Sequence, residues 1–365
     1  MSDIDIPEEV GDYIEAEHVE TVFDALIDTV DGNEGLNLTQ AQVYLNGVML
    51  ANGLMTSRQY AGQEGIFETI GNGIQKVWEY IKSLFRKIFG GEKKKDAQAQ
   101  TKKLEDKIEK TEEKLKKAEK PPELKTPADV DKFMGAVEKS AAKAPESQAK
   151  KDLDKDIEET RQKIKDLHER GDKAAKNMGK DSVRDFMPPE LKAMMEKLIE
   201  KSFEANLYNK QKQTEADTRL KASVEKLKLI KERYEKGDDH GDLGGTIQRY
   251  INGMTGLDPI EKVHDFNTAN AWVSKVKRCK EAMGNTRMEI YSSQDALKRQ
   301  IDTLEGKINH FDKGDSQDAL KKEINELKER LADIVNVENH FAVISVELGN
   351  MVDTIEKACV EVVVV

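Results

Sequence analysis

Aromatic side chains are scarce in this chain, at 5% of its residues, and proline occurs only eight times in 365. The first shortage leaves too little bulk for a thick globular core, and the second leaves long stretches free of helix breakers. With charged residues at 35%, the composition points to long helices joined along narrow apolar seams. Cysteine is nearly absent as well. Cys279 and Cys359 stand eighty residues apart, each inside a helical pattern, which excludes a disulfide framework or a closely spaced thiolate metal site. We read both as reduced, buried and structural.

Long hydrophobic runs are missing too. The best stretch, residues 66–89, is interrupted by Lys76, Glu79, Lys82, Arg86 and Lys87, so no window of about 18 uncharged apolar residues exists and no spanning helix is expected. The N-terminus carries Asp3, Asp5, Glu8 and Glu9 where a secretory signal needs basic residues and an apolar run. Synthesis and assembly are therefore expected in the cytoplasm.

Catalytic constellations are lacking in the same way. His18, His168, His240, His264, His310 and His340 are scattered singly, with no zinc-type pair on one helix face. The glycine-rich stretches lack the lysine of a phosphate-binding loop, and no serine stands in a nucleophile elbow. Asp31, Asn33 and Gly35 resemble the start of a calcium loop, but the glycine at its sixth position and the glutamate at its twelfth are missing. Asp238, Asp239, His240 and Asp242 are metal-capable side chains in a glycine-rich turn, yet no second histidine or spaced carboxylate completes a set. A non-enzymatic protein without cofactor or metal is expected.

What the chain does have is a change of charge. Residues 1–64 hold thirteen Asp and Glu against the single basic residue Arg58, while the whole chain is −11, so the remaining 301 residues sum to about +1. Within this leader, Val10, Tyr13, Ile14, Val19, Val22, Phe23, Leu26, Ile27 and Val30 recur at helical spacing. A second pattern follows from about Thr39 to Tyr60 after the break at Asp31-Gly32-Asn33. An acidic helical hairpin is the natural reading. Directly after the junction Gly62-Gln63-Glu64-Gly65 comes the most apolar helical face of the chain: Ile66, Phe67, Ile70, Ile74, Val77, Trp78, Ile81, Leu84, Phe85, Ile88 and Phe89. Gly90-Gly91 closes it and Lys93-Lys94-Lys95 follows. That face fits an interfacial helix meeting a membrane or a protein partner, and it fits a core helix equally well.

This layout resembles the internal head and other virion structural proteins of large tailed bacteriophages. In that family an acidic N-terminal propeptide routes the protein into the prohead, and the prohead protease cuts after a Glu preceded two residues earlier by a small or aliphatic residue. Gly62, Gln63 and Glu64 followed by Gly65 are similar to that site. The resemblance covers residues 1–95 and implies phage head or scaffold proteins and the prohead protease as partners. It also implies residence in the host cytoplasm during assembly and then in the head interior. The alternative is a cytoplasmic peripheral membrane protein anchored by helix 66–89, with coiled coils as spacer. A toxin or effector of helical-hairpin form is a third reading.

Downstream, heptads dominate. Leu104, Ile108, Thr111 and Leu115 form one seam, and Leu153, Ile157, Thr160, Ile164 and Leu167 another; both suit antiparallel hairpins. Pro121-Pro122, Pro127 and Pro145 mark a flexible connection between them, with a short helix near Val130 to Val137. A helix starts after Pro188-Pro189, and Ile260 to Met283 reads as a small core around Trp272. Leu297, Ile301, Leu304, Ile308 and Phe311, a turn at Asp312 to Ser316, and Leu320, Ile324, Leu327, Leu331 and Ile334 form a C-terminal hairpin. Its second helix runs on toward the tail Val362 to Val365. Glutamates accompany most lysine clusters, so DNA contact is expected to be non-specific and salt-sensitive.

The expected fold is all-α: elongated helical hairpins and coiled coils with an acidic N-terminal hairpin, and with homo-oligomer contacts through the coiled coils. Its expected divisions are 1–64 as propeptide, 65–91 as amphipathic helix, and 92–180 as charged coiled-coil segments with a linker. Residues 181–285 form the central helical region and 286–365 the C-terminal hairpin.

Overall fold

The computed structural model describes residues 16–31, 70–118, 126–177, 189–207, 210–234, 243–254, 256–310 and 317–363. Over these residues the fold is all-α, with no strand among them. The helices are α1 (Ala16–Asp31), α2 (Ile70–Phe89), α3 (Gly91–Ala118), α4 (Pro127–Lys143), α5 (Gln148–Asn177) and α6 (Pro189–Leu207). They continue with α7 (Lys210–Tyr234), α8 (Leu243–Met254), a 3-10 turn at Ile260–Lys262, α9 (Phe266–Ser292), α10 (Gln294–Asn309) and α11 (Gln317–Val363).

The chain packs as two compact units, each discontinuous in sequence. One is built from residues 1–100, 223–251 and 282–343, the other from residues 101–222, 252–281 and 344–365. The linear divisions read from the sequence do not describe this arrangement, because α3, α7, α8, α9 and α11 each give residues to both units. Heptad patterns mark where helices begin and end, but packing is chosen by apolar complementarity between stretches far apart in the chain.

In the second unit, α4, α5 and α6 pack on one another. The short helix expected near Val130 to Val137 within a flexible connection is present and longer, running from Pro127 to Lys143, and its start is set by its own chemistry. Thr126 accepts from the Asp129 backbone N–H at 3.2 Å while the Asp129 carboxylate accepts from Thr126 N–H at 2.9 Å, a capping box with Pro127 in the first turn. α4 then buries Val130, Phe133, Met134, Val137 and Ala141. Ser140 and Ser202 hydroxyls meet at 2.8 Å, and Asn206 donates to Ser140 at 2.7 Å, so the small polar groups inside this bundle are satisfied. Lys197 and Lys201 both reach the buried Asp156, at 3.1 and 2.7 Å.

The seams behave as expected, but their partners differ. Leu104, Ile108, Thr111 and Leu115 are buried on α3, as are Leu153, Ile157, Thr160 and Ile164 on α5, where Leu167 at the end of the seam is only half-buried. α5 is held against α4 and α6. α3 is instead tied to α9 through Lys280 to Glu105 at 2.8 Å and to α11 through Lys107 to Asp353 at 2.8 Å and Lys114 to Glu356 at 2.5 Å. The segment around Trp272 forms the expected small core, with its indole N–H donating to the Asp258 carbonyl at 2.8 Å and Phe266 against Phe203 at 4.6 Å between ring centres. Both cysteines are free and buried. Burial pushes the Cys279 thiol up to about 11 and the Cys359 thiol up to about 12, which keeps both protonated and unreactive.

The largest departure concerns α11. Its 47 residues rise through about 70 Å as one helix. The sequence suggests a hairpin helix with one buried stripe, yet Arg330, Leu331, Ala332, Asp333, Ile334 and Val335 are all buried. Six consecutive residues turn through every direction around a helix axis, so this part of α11 is enclosed on all sides. α10 and α11 do meet, through Lys307 with Glu323 and Arg330 with Gln300, but α10 covers only one side of a helix that others surround, so the pair expected from the sequence is not self-contained. Leu304 and Leu327 still lie buried as the heptads predict, and Leu→Ala at either is expected to cost about 2–5 kcal/mol in urea denaturation. The turn at 311–316, its caps and residues 364–365 lie outside the described residues.

Candidate functional site

The two features singled out in the sequence are the junction after the acidic leader and the apolar helix behind it. Gly62, Gln63, Glu64 and Gly65 lie outside the described residues, as do Ile66 and Phe67. The calcium-like Asn33 and Gly35, and Asp238 through Asp242, lie outside them too. The remaining positions of the apolar face belong to α2, where the side chains of Ile70 and Ile74 lie outside those described and the face is described from Val77 onward.

α2 turns its apolar side inward. Val77, Trp78, Ile81, Leu84, Phe85 and Phe89 are buried, and Ile88 is half-buried. Tyr80, which the face as read from sequence omitted, is buried as well. The covering elements are α1 and α10, with Tyr291 of α9 set edge-on against Phe89 at 6.5 Å. Phe85 and Phe89 stack in turn at 4.8 Å, and Lys82 holds Glu305 of α10 at 2.6 Å. In this conformation the face serves the chain's own core. A membrane or a foreign surface reaches it only after those neighbours leave.

The helix ends for a local reason. A Cβ on Gly90 would stand 2.2 Å from the Arg86 carbonyl oxygen, so only glycine allows the backbone to pass that close before α3 begins. Lys94 N–H then bonds the Gly90 carbonyl at 3.2 Å.

α1 is the unexpected part of the site, because it belongs to the acidic leader. Val19, Val22, Phe23 and Leu26 are fully buried and Val30 nearly so, while the acidic residues Glu20 and Asp24 remain at the surface. This split follows from the 3.6-residue period: the apolar residues stack three and four apart, and the acids fall between them. Asp24 reaches across to an ion pair with Lys328 of α11. Burial holds the Asp333 carboxyl above its usual range, with smaller contributions from the negative charges of Glu329 and then Glu20, so Glu20 mildly opposes the seating that Asp24 provides. The leader helix is therefore seated both by apolar packing on α2 and by charge on α11.

Sequence reasoning missed the carboxylates enclosed on α11 and their arginine partners. In the first unit Asp333 pairs with Arg233 at 2.9 Å and Glu338 with Arg287 at 3.3 Å. In the second, Glu347 takes Arg219 through two bonds, Nε to Oε1 at 2.5 Å and Nη2 to Oε2 at 3.2 Å. The hydrogen bond to Glu347 is the chief cause of a raised Arg219 pKa. A usable signal existed: Leu331-Ala332-Asp333-Ile334-Val335-Asn336-Val337 is too apolar for a single seam, which marks a helix buried all round.

Among the described residues, no group of three His, Cys, Asp or Glu gathers to hold a metal ion, and no helix is long and apolar enough to cross a membrane. The site as built can pack, pair and uncover surface. No family model, no curated protein and no solved structure matches the chain.

Proposed function

We propose that this chain is a non-enzymatic virion structural protein of a large tailed bacteriophage, an internal head protein carried into the prohead by residues 1–64 and cut after Glu64. The observation that supports this reading is the seating of α1: an acidic leader helix lies apolar side down in the unit that contains α2. Cutting behind it gives the leader a route to depart. Its departure would remove thirteen carboxylates and take one covering helix off α2. The charge change weakens repulsion from packaged DNA, and the uncovered face offers an attachment surface to head proteins. Residence in the host cytoplasm before assembly and in the head interior afterwards follows from the same proposal.

Co-expression with the prohead protease of the same phage tests it. Mass spectrometry is expected to find a product beginning at Gly65, and Glu64→Gln to abolish it. Chains retaining Met1 in purified mature particles would sink the proposal.

A further inference from the structure

In the first unit, α10 and α11 line a half-open cavity of ≈ 260 Å³ whose lining includes Arg299, Gln300, Thr303, Glu323, Glu326 and Arg330. Its charges are unequally committed. Glu323 is paired with Lys307, and Glu326 has Lys322 at 3.8 Å. Neither arginine has a carboxylate partner among the described residues. Arg330 is 6% exposed, and its one hydrogen bond runs from Nη1 to Gln300 Oε1 at a long 3.3 Å, while its Nε is buried without a partner. Burial without a counter-charge pushes its pKa down, opposed only by the nearby Tyr234.

A guanidinium left this way is an incomplete arrangement. Buried arginine is retained in folded proteins when an acceptor meets its donor fork, because an uncompensated internal charge is strongly destabilising. Here the fork borders a cavity, and a second free arginine, Arg299 of α10, lines the same cavity. Gln300 uses its carbonyl oxygen on Arg330, so its amide nitrogen keeps two donors to spare. Thr303 donates to the Arg299 carbonyl at 2.8 Å. The space is smaller than an ordinary drug-sized pocket and suits a compact anion.

We infer that this cavity binds a phosphate group, held by Arg330 and Arg299 with the Gln300 amide as a further donor. Phosphate fits better than a carboxylate because its oxygens are arranged tetrahedrally and can accept from two guanidinium groups at once. The site is independent of the leader and of any processing at Glu64. Its phosphate can come from inorganic phosphate or from a nucleoside monophosphate, which share this chemistry.

Calorimetric titration of the full chain in low-chloride buffer tests the assignment, with inorganic phosphate, a nucleoside 5′-monophosphate and acetate in separate runs. Saturable one-to-one binding in either phosphate arm is expected, the tighter arm naming the source, with acetate weaker. Arg330→Gln is expected to weaken binding about tenfold or more, the loss of a charge-assisted pair. Should that buried change prevent folding, the exposed Arg299→Gln carries the test, with a weakening of about threefold or more at unchanged melting temperature. No saturable heat up to the order of 10 mM phosphate, or equal binding in wild type and the folded variants, would overturn the site.

Discussion

A chain beginning at Gly65 is expected to bind a hydrophobic dye and to self-associate in sedimentation more strongly than the full chain does. The reason lies in what α1 covers. Its residues Val19, Val22, Phe23 and Leu26 are withdrawn from water completely, so an equally apolar surface must be meeting them. α2 is packed against α1 and supplies much of that surface. Each such side chain contributes about 1.5–3 kcal/mol when fully buried, so removing all of them weakens this unit and opens an apolar patch of the kind that drives association. A finer version leaves the chain at full length: Phe23→Ala is expected to destabilise it by about 3–5 kcal/mol in urea denaturation, whereas Asp24→Ala, which breaks an exposed ion pair, is expected to cost at most about 1 kcal/mol. A truncated chain that stays monomeric and melts like the full one would show that α1 is dispensable, and the proposed consequence of cutting at Glu64 would fall with it.

The second large effect is expected at Arg287. Its guanidinium is 3% exposed, lies 3.3 Å from the equally enclosed Glu338, sits 5.9 Å from the Phe341 ring centre, and donates to the Ala97 carbonyl and Gln100 at 3.4 Å each. Arg287→Met leaves Glu338 inside the unit without its one compensating charge, a loss of about 3–5 kcal/mol at pH 7. Changing Glu338→Gln in the same chain is expected to recover a large part of it. Burial holds the Glu338 carboxyl above its usual range, with Arg287 pulling the other way, so losing Arg287 raises it further. A carboxyl whose folded pKa lies above its unfolded one binds its proton more tightly in the folded state. Its contribution to stability is therefore fully present below the unfolded value and is lost as pH rises through the folded one. The Arg287→Met deficit should accordingly shrink between pH 7 and pH 5. A deficit independent of pH would mean that the arginine acts through packing on Phe341 alone.

Both predictions concern contacts between residues far apart in the chain, and that is where reading the sequence ran out. Leu104, Ile108, Thr111 and Leu115 could be assigned to one buried seam from their spacing alone, and all four are buried. Their partners could not: α3 is tied to α9 and α11 by Lys280–Glu105 and Lys107–Asp353, and nothing in a heptad names the stripe that will face it. The apolar face of α2 was equally legible, from Val77 through Phe89, but the helix that lies over it comes from across a charge boundary that invites separation of leader and body. The inward position of Asp333, Glu338 and Glu347 was not legible for a related reason. Acidic residues on a helix among lysines ordinarily face water, and only the arrival of Arg233, Arg287 and Arg219 lets these face inward. Thr126, Pro127 and Asp129 held a signal that went unused: the helix near Val130 to Val137 was read, but not the capping box that starts it at Pro127.

By itself, the sequence determined that the described parts of this protein are helices and where the main apolar stripes of α2, α3 and α5 lie, because periodicity and capping are properties of a few neighbouring residues and of the 3.6-residue turn. It also determined that the first 64 residues carry all of the net negative charge, the rest of the chain being close to neutral. The tertiary structure alone decided that α1 lies on α2, that part of α11 is enclosed on every side, and that three carboxylates are buried against arginines while Arg330 is left beside an open cavity. Those outcomes compare the free energies of many alternative pairings of similar apolar stripes, and the difference is set by contacts between residues hundreds of positions apart. No local pattern contains that comparison.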